Sequence, residues 1–266
     1  MIAALHHHLK PLQRVAVAYS GGVDSSLVLK ASLDALGSAN VIALLAVSPS
    51  LPQSERDEAV QLAKSLGARL ELLLTAETDD PRYQANAPNR CYFCKDHVYR
   101  ALRQFAEQNG LEHVLDGMNA EDTLDVRPGR AAARELHILS PLHELGFTKQ
   151  NVREAAKALG LPNWNKPAAA CLASRIPYGT AVTPKLLSQV EKAEASLFDL
   201  GLHELRVRHH GDVARIEVPE ADLHLVLKQR DIIHSALKNL GYVYITLDLA
   251  GLRSGSMNEV LAARTA

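Results

Sequence analysis

The chain has 266 residues, which is enough for one large or two modest domains with buried cores. Hydrophobic residues make up 47% of it and charged residues 22%, a composition typical of globular rather than disordered proteins. A net charge of −1 at pH 7 gives no general attraction to nucleic acids or membranes, so we expect neither as a partner.

The first part of the chain alternates short apolar runs with amphipathic segments. The apolar runs predict strands over residues 15–19, 41–47, 70–74, 113–116 and 138–142. The amphipathic segments predict helices over residues 23–36, 53–66, 96–108, 131–136 and 148–159. This alternation predicts an α/β domain whose parallel sheet is covered by helices on both faces. Ligands of such sheets bind beyond the carboxyl ends of the strands.

The pattern changes after residue 160. Residues 161–178 contain three prolines and a lone tryptophan. The segments beyond them predict helices over residues 185–200 and 222–240, a hairpin of residues 205–209 and 213–218, and a strand over residues 242–247. We therefore expect a first domain of residues 1–165, a crossing and site loop of residues 166–180, and a small α+β domain of residues 181–266. We expect the last domain to serve substrate binding and self-association, so that the protein is a homo-oligomer.

Residues 15–26, VAVAYSGGVDSS, join the first predicted strand to a helix through a glycine turn. Gly21 and Gly22 allow backbone angles closed to other residues and let a ligand approach the main chain. The helix start presents unpaired N–H groups and the positive end of a dipole, so it favours an anion. The polar side chains around this turn are those of Ser20, Asp24, Ser25 and Ser26. The structural alternative is a tight turn with capping serines.

This turn lacks the lysine of the Walker loop and the spacing of the G-x-G-x-x-G motif. SGGVDS after a strand instead resembles the PP-loop of the ATP pyrophosphatases. The resemblance implies an adenine nucleotide α-hydrolase-like fold and cleavage of ATP between its α- and β-phosphates, with AMP left on the substrate.

A second candidate phosphate site follows the fourth predicted strand, in DGMNAEDTLDVRPG (residues 116–129). Gly117 and Asn119 suit a backbone that turns at a ligand, and Arg127 has the fork geometry for phosphate. The stretch also holds carboxylates of the type that Mg²⁺ takes beside phosphate, those of Asp116, Asp122 and Asp125. Alone it is typical of an acidic surface loop, but beside a PP-loop it predicts a site for ATP, pyrophosphate and Mg²⁺.

The chain has three cysteines, Cys91, Cys94 and Cys171. The amino-terminal residues lack the basic and long apolar stretches of a secretory signal, so we expect a cytoplasmic protein, in which structural disulfides are rare. A C-x-x-C pair can then be a redox dithiol, part of a zinc site or part of an iron–sulfur site. Three thiolates in one chain cannot close a four-cysteine zinc site and leave one position of a metal or cluster open. The alternative is semi-buried thiols without a joint function.

Each candidate cysteine has basic neighbours in the sequence. The C-x-x-C pair is flanked by Arg90 and Lys95, which favours a polar loop over a core strand. Cys171 lies between Lys166 and Arg175, whose charges predict a lowered thiol pKa and hence a nucleophile or a metal ligand. A lone buried cysteine on a short helix is the alternative.

Six stretches in this order resemble the LarE family over nearly the whole chain. They are SGGVDSS, NRCYFCK, DGMNAEDTLDVRPG, SPL, KPAAACLASRIPYGT and RVRHHGDVARIEV. LarE proteins are sulfur transferases that help to build the nickel-pincer nucleotide of lactate racemase. The resemblance implies that ATP and Mg²⁺ adenylate a carboxylate of pyridinium-3,5-biscarboxylic acid mononucleotide, and that sulfur then displaces AMP to give a thiocarboxylate. It also implies a set of substrate-binding residues, namely Ser174, Arg175, Glu194, Arg206, Arg208 and Glu217. For the paired charges of the hairpin, a solvent-exposed face with cross-strand pairing is the alternative.

The family resemblance leaves two sources of sulfur open. In single-cysteine members, the cysteine that corresponds to Cys171 gives up its own sulfur and becomes dehydroalanine. The additional Cys91 and Cys94 resemble members in which three cysteines hold a [4Fe-4S] cluster that carries an exogenous sulfide. We favour the cluster as the source of sulfur, with sacrifice of Cys171 as the alternative. A zinc site is the least favoured of the three. Rival functions are a tRNA thiolase or an ammonia-using amidotransferase of the same superfamily, and a non-enzymatic nucleotide sensor.

Overall fold

The computed structural model describes residues 1–123, 129–253 and 255–258. The chain forms two compact units. The first contains residues 1–83 and 89–169, and the second contains residues 84–88 together with the chain from residue 170 onward.

A parallel four-stranded sheet forms the centre of the described part of the first unit. Its strands are β1 (Val15–Ala18), β2 (Val41–Val47), β3 (Arg69–Leu74) and β4 (His113–Leu115), in the order β3-β2-β1-β4. Val15 lies opposite Val41 on one side and His113 on the other, so β1 is central. This order brings the carboxyl ends of β1 and β4 side by side, which is where the two predicted phosphate-binding stretches begin.

Helices cover both faces of this sheet. In this half of the chain they are α1 (Ile2–Leu9), α2 (Val23–Leu36), α3 (Gln53–Ser65), α4 (Pro81–Gln84), α5 (Arg90–Gln108), α6 (Gly129–Glu135), α7 (Pro141–Glu144) and α8 (Lys149–Ala158). Successive strand residues point to opposite faces. Val15 and Val17 therefore join the core with α1, α2 and α8, whereas Ala16 joins the core with α5 and α6. The predicted α/β fold with a covered parallel sheet is confirmed.

Three predicted elements differ from the structure. In residues 138–142, Leu139 makes a single bridge to Leu115 and α7 starts at Pro141, because a proline cannot continue a strand ladder. Helix α5 begins at Arg90 and not at residue 96, since Tyr92 packs against the same core as Tyr99 and extends the buried face by two turns. The helix predicted over residues 222–240 is divided at Gln229.

The second unit contains a three-stranded sheet within its described residues. Strands β5 (Arg206–His210) and β6 (Val213–Glu217) form the predicted antiparallel hairpin, and β7 (Tyr244–Leu247) runs parallel to β6 on its other side. Its helices are α9 (Pro184–Phe198), α10 (Leu223–Lys228) and α11 (Arg230–Asn239). Their buried side chains make one core with the sheet. Among the described residues, no helix combines the length and apolar character needed to span a membrane.

Candidate functional site

The glycine turn lies between the end of β1 and the start of α2. Gly21 has a φ of +77°, and a Cβ on it would lie 2.7 Å from the Cβ of Ala59. Glycine alone meets both demands without strain. Gly22 is the N-cap of α2, so the free N–H groups of the first helical turn follow it directly.

The three predicted serines differ in their burial and in their hydrogen bonds within this turn. Ser20 is exposed, and its Oγ lies 3.1 Å from the Oγ of Ser25 and 3.4 Å from the amide N of Gly22. Ser25 donates to the carbonyl oxygen of Gly22 at 3.1 Å and accepts from the amide of Ser20 at 3.2 Å. Ser26 is fully buried beneath the turn. Ser20 thus offers a hydroxyl to solvent, Ser25 orders the turn, and Ser26 supports it.

Asn163 is a part of this turn that sequence reasoning missed. Its Nδ2 donates to the carbonyl oxygen of Gly21 at 2.9 Å and to the Oγ of Ser26 at 3.0 Å. It lies 142 residues beyond Gly21 in the chain, in a segment without regular secondary structure. The only sequence signal is an asparagine within the proline-interrupted stretch, which is too weak to identify it.

The stretch after β4 packs against the first turn of α2. A Cβ on Gly117 would lie 2.7 Å from the amide N of Ser25 and 2.9 Å from the carbonyl C of Asp24. Asn119 is 1% exposed, and its Nδ2 donates to Oδ1 of Asp24 at 2.8 Å. The structure therefore brings together the two stretches that the sequence predicted as candidate phosphate sites.

The carboxylates near this site have different surroundings. Burial raises the pKa of Asp24 above its ordinary value, and the nearby charge of Asp122 raises that pKa further. Asp122 accepts from the backbone amide of Asn119 at 3.2 Å. Asp116 is 4% exposed and accepts from the hydroxyl of Tyr99 at 2.8 Å and the amide of Met118 at 3.1 Å, so it orders the loop.

A divalent cation bound at these carboxylates would offset the charge of Asp122, which adds to the effect of burial in raising the pKa of Asp24. Mg²⁺ commonly takes only one or two carboxylates and fills its shell with phosphate oxygens and water. Over the described ranges, no group of three or more histidine, cysteine or acidic side chains is arranged to hold a metal ion. The predicted site residues Asp125 and Arg127 lie outside the described residues.

Cys91 and Cys94 lie in the first turn of α5, so the prediction that they belong to a loop was wrong. Cys91 is exposed and Cys94 is half-buried. Residues three apart share one face of a helix, and the helix N-terminus favours thiolates. Two thiols at this spacing can serve as two ligands of one metal ion or cluster. Cys171 belongs to the second unit.

A buried carboxylate anchors the start of α5. Asp80 is 9% exposed, and its Oδ2 lies 2.9 Å from Nε2 of His97 and 2.7 Å from a guanidinium nitrogen of Arg82. The hydrogen bonds from Arg82, followed by that with His97, hold the pKa of Asp80 well below its usual range. The Arg82 guanidinium also lies 4.7 Å from the centre of the Phe93 ring. Residues around the C-x-x-C pair are thus held in place by charged contacts.

Cys171 is half-buried and forms the N-cap of a short 3₁₀ turn, Leu172–Arg175. Arg175 donates to the carbonyl oxygen of Cys171 at 3.1 Å and pairs with both carboxylate oxygens of Glu194, at 2.9 and 3.0 Å. Lys166, the other predicted activating cation, pairs with Glu55 at 2.8 Å and Glu58 at 2.7 Å. The charges of Arg175 and Lys166 are therefore each paired with carboxylates rather than with the Cys171 thiol.

Asn86 supports the loop that follows Cys171. It is fully buried with a φ of +51°, and its Nδ2 donates to the carbonyl oxygens of Ile176, Pro177 and Thr180 at 2.8–3.2 Å. This contact explains why residues 84–88 belong to the second unit. Sequence reasoning gave Asn86 no role.

Arg208 and Glu217 form a buried ion pair across the β5–β6 hairpin. Two guanidinium nitrogens of Arg208 donate to Oε2 of Glu217 at 2.8 and 3.0 Å, and a third reaches the carbonyl oxygen of Ser174 at 3.0 Å. Ser256, which sequence reasoning missed, accepts from Arg208 at 2.9 Å and donates to Glu217 at 3.1 Å. Arg215 pairs with the other oxygen of Glu217 at 2.9 Å. The solvent-exposed alternative for this face is therefore wrong for Arg208 and Glu217.

Arg206 differs from the neighbouring arginines. Within the described part of the chain, its guanidinium makes one long hydrogen bond, 3.3 Å, to the carbonyl oxygen of Leu205 and forms no ion pair. Burial lowers the pKa of Arg206, and the nearby charge of Arg175 lowers it further. A half-buried cation that other cations repel is stabilised by an anion. Arg206 is therefore the best placed of these arginines to bind a phosphate or a carboxylate.

Comparisons with known proteins agree with this geometry. The NAD synthase family model matches residues 5–96, which include the glycine turn. Glutamine-dependent NAD⁺ synthetase of Rhodobacter capsulatus is 39% identical over 84 residues, which is 31% of this chain and 15% of that protein.

Other relatives match nearly the full length of the chain. An uncharacterized protein of Synechocystis is 44% identical over 252 residues, which is 94% of this chain and 94% of that protein. Pyridinium-3,5-bisthiocarboxylic acid mononucleotide synthase of Lactiplantibacillus plantarum is 45% identical over 259 residues, which is 97% of this chain and 94% of that protein. The chain therefore belongs to the LarE family of ATP-dependent PP-loop enzymes.

Proposed function

We propose that this enzyme is an ATP-dependent sulfur transferase that converts a carboxylate of pyridinium-3,5-biscarboxylic acid mononucleotide into a thiocarboxylate. The observation that carries the proposal is the 45% identity to the Lactiplantibacillus plantarum synthase over 97% of the chain. This likeness extends through the unit with the glycine turn and the unit with Cys171. We also propose that it acts in the cytoplasm as a homo-oligomer.

The glycine turn supports the first half of this reaction. The phosphates of ATP would bind the N–H groups at the start of α2 together with Ser20 and Ser25. Asp24 and Asp122 would hold Mg²⁺ against the phosphates. The substrate carboxylate attacks the α-phosphorus, so that an O–P bond forms and the bond to pyrophosphate breaks. The product is an acyl-adenylate whose AMP is a good leaving group.

The buried charges of the second unit support recognition of an anionic substrate. Arg206 would bind a phosphate or a carboxylate of the mononucleotide. Arg175 and Arg208 are oriented by Glu194 and Glu217, and they would position Ser174 and the turn that begins at Cys171. Sulfur then attacks the carbonyl carbon, a C–S bond forms, and AMP leaves with the electrons of the C–O bond.

We propose that Cys91, Cys94 and Cys171 hold a [4Fe-4S] cluster. The cluster would supply an open iron position for exogenous sulfide. The i, i+3 spacing of two exposed or half-buried thiols at a helix N-terminus supports this assignment. The alternative is that Cys171 donates its own sulfur and becomes dehydroalanine.

The reaction itself is tested by incubating the protein with ATP, Mg²⁺, a sulfide source and the dicarboxylate mononucleotide. We expect AMP and pyrophosphate in equal amounts, and a product whose mass reflects replacement of one oxygen by sulfur. Release of pyrophosphate should require the mononucleotide, and replacing it with tRNA should give none. ATP binding without any pyrophosphate would contradict an enzymatic role and favour a nucleotide sensor.

The sulfur source is tested on protein purified without oxygen after expression with iron and sulfur supplied. We expect about four irons and four sulfides per chain, together with a visible absorption band. Cys91→Ala, Cys94→Ala and Cys171→Ser should each lose iron, colour and activity together, because each removes a ligand of the proposed cluster. Colourless wild-type protein in which Cys171 loses the mass of one sulfur on turnover would instead establish sacrifice.

A further inference from the structure

Asn163 connects the glycine turn to a rigid part of the first unit. The next residue, Trp164, packs against the core beside α2 and α8, and its ring lies 4.7 Å from Nζ of Lys157. The backbone N–H of Trp164 donates to the carbonyl oxygen of Leu161, which is itself 1% exposed. The amide of Asn163 is therefore presented to the turn from a fixed support.

The contact with Gly21 fixes the direction of the next N–H group. The carbonyl of Gly21 and the N–H of Gly22 belong to one planar peptide and point in opposite directions. Because Asn163 binds this carbonyl at 2.9 Å, the Gly22 N–H is directed away from Asn163 and toward the Oγ of Ser20. The exposed hydroxyl of Ser20 lies on this same side of the turn. Gly21 has a positive φ of 77° and, as a glycine, a permissive backbone, so a hydrogen bond from outside the turn helps to hold this orientation.

The second contact of Asn163 reaches Ser26. This serine is fully buried, so it does not face a ligand, and its Oγ accepts from Nδ2 of Asn163 at 3.0 Å. Oδ1 of Asn163 is buried without a hydrogen-bond partner among the described residues. An unpaired buried acceptor is unfavourable for folding, so stability alone does not account for an amide at this position.

We propose that Asn163 is a positioning residue for ATP, which acts through Gly21 and Ser26 to aim the Gly22 N–H at the phosphates. This inference rests on the proposed use of ATP by the glycine turn, and it adds a residue that neither the motif nor the comparisons indicate. Asn163 precedes Cys171 by eight residues, so the anchor of the ATP turn lies on the segment that leads to the cysteine.

Two measurements on full-length protein test this role. ATP affinity is measured by titration calorimetry, and pyrophosphate release gives KM for ATP and for the mononucleotide separately. In Asn163→Ala we expect ATP to bind about three- to ten-fold more weakly, which is what one or two neutral hydrogen bonds contribute. KM for the mononucleotide should stay unchanged, and the melting temperature should fall only by the few degrees that two lost hydrogen bonds cost. Asn163→Asp, which keeps the shape but loses the donor, should bind ATP no better than Asn163→Ala.

The controls separate positioning from a structural role. Asn109→Ala removes a comparable 2.8 Å bond from Nδ2 to the carbonyl oxygen of Phe105 at the end of α5, and it should leave ATP affinity unchanged. The effects of Asn163→Ala and Ser26→Ala on ATP affinity should not add, because one contact joins them. If Asn163→Ala does not fold, Asn163→Ser, which retains a shorter donor, is measured in its place.

The outcomes distinguish this inference from the proposed function. Equal ATP affinity of the Asn163 variants and the wild type overturns the inference, whatever reaction the enzyme catalyses. Wild-type protein that binds ATP but releases no pyrophosphate overturns the proposed function, and the inference is still decided by the affinities. Wild-type protein that does not bind ATP overturns both.

Discussion

Replacing Gly117 with alanine should disrupt the contact between the loop after β4 and the first turn of α2. The added Cβ would lie 2.7 Å from the amide N of Ser25 and 2.9 Å from the carbonyl C of Asp24 and the Cα of Ser25. Ordinary contact between such atoms is about 3.5–4 Å, so the two backbones must separate by about 1 Å. The atoms in the way are main-chain atoms of a helix, so a rotation of one side chain cannot relieve the overlap.

The cost follows from this geometry. Overpacking of this kind destabilises by about 1–3 kcal/mol. For a unit of this size, that corresponds to a fall of roughly 2–12 °C in its melting temperature. The shift also displaces Asp24 and its 2.8 Å bond with Asn119. Since a displacement of about 1 Å can reduce a rate about 100-fold, we expect kcat/KM for ATP to fall by about 10- to 100-fold.

The assay combines thermal unfolding with the rate of pyrophosphate release at varied ATP. The matched control is Gly110→Ala, at the end of α5, where φ is +64° and an added Cβ would meet no atom within 4 Å. That change should cost about 1 kcal/mol of backbone strain and leave kcat/KM for ATP unchanged. Gly117→Ala with wild-type stability and wild-type kcat/KM would refute the reasoning that the two loops meet in one rigid site.

Two further changes test the electrostatics of the two units. Burial and the charge of Asp122 raise the pKa of Asp24, so the folded state loses stability as pH rises from the ordinary carboxyl pKa to the raised one. Asp24→Asn should therefore increase the free energy of unfolding at neutral pH, while pyrophosphate release is lost. Measured by urea unfolding, this gain in stability should vanish toward pH 4. A gain that grows on acidification would contradict the reasoning. Glu217→Ala should cost roughly 3–5 kcal/mol in urea unfolding, because it leaves the buried guanidinium of Arg208 unpaired. Glu71→Ala, which removes an exposed ion pair, should cost under about 1 kcal/mol, and equal losses for the two variants would argue against a buried network.

The sequence determined the architecture of the first unit because its signals are local. Apolar runs of strand length, helices with the apolar period of 3.6 residues, and the glycine pair of residues 21 and 22 each depend on neighbours in the chain. The helix over Val23–Leu36 and the strand over Val41–Val47 agree with the predicted bounds. The location of the glycine turn follows from the same local rules, since a strand, two glycines and a helix start together predict a strand–turn–helix unit.

Only the tertiary structure decided which polar groups support the site. Asn163, Asn86 and Ser256 act over separations of 142, 90 to 94 and 39 to 48 residues, and nothing in their immediate sequence distinguishes them from ordinary loop residues. The family resemblance implied the same substrate-binding role for Arg206 and Arg208. Folding gives Arg208 a buried carboxylate and leaves Arg206 as the cation that other cations repel, because charge pairing depends on which strand faces lie together in space.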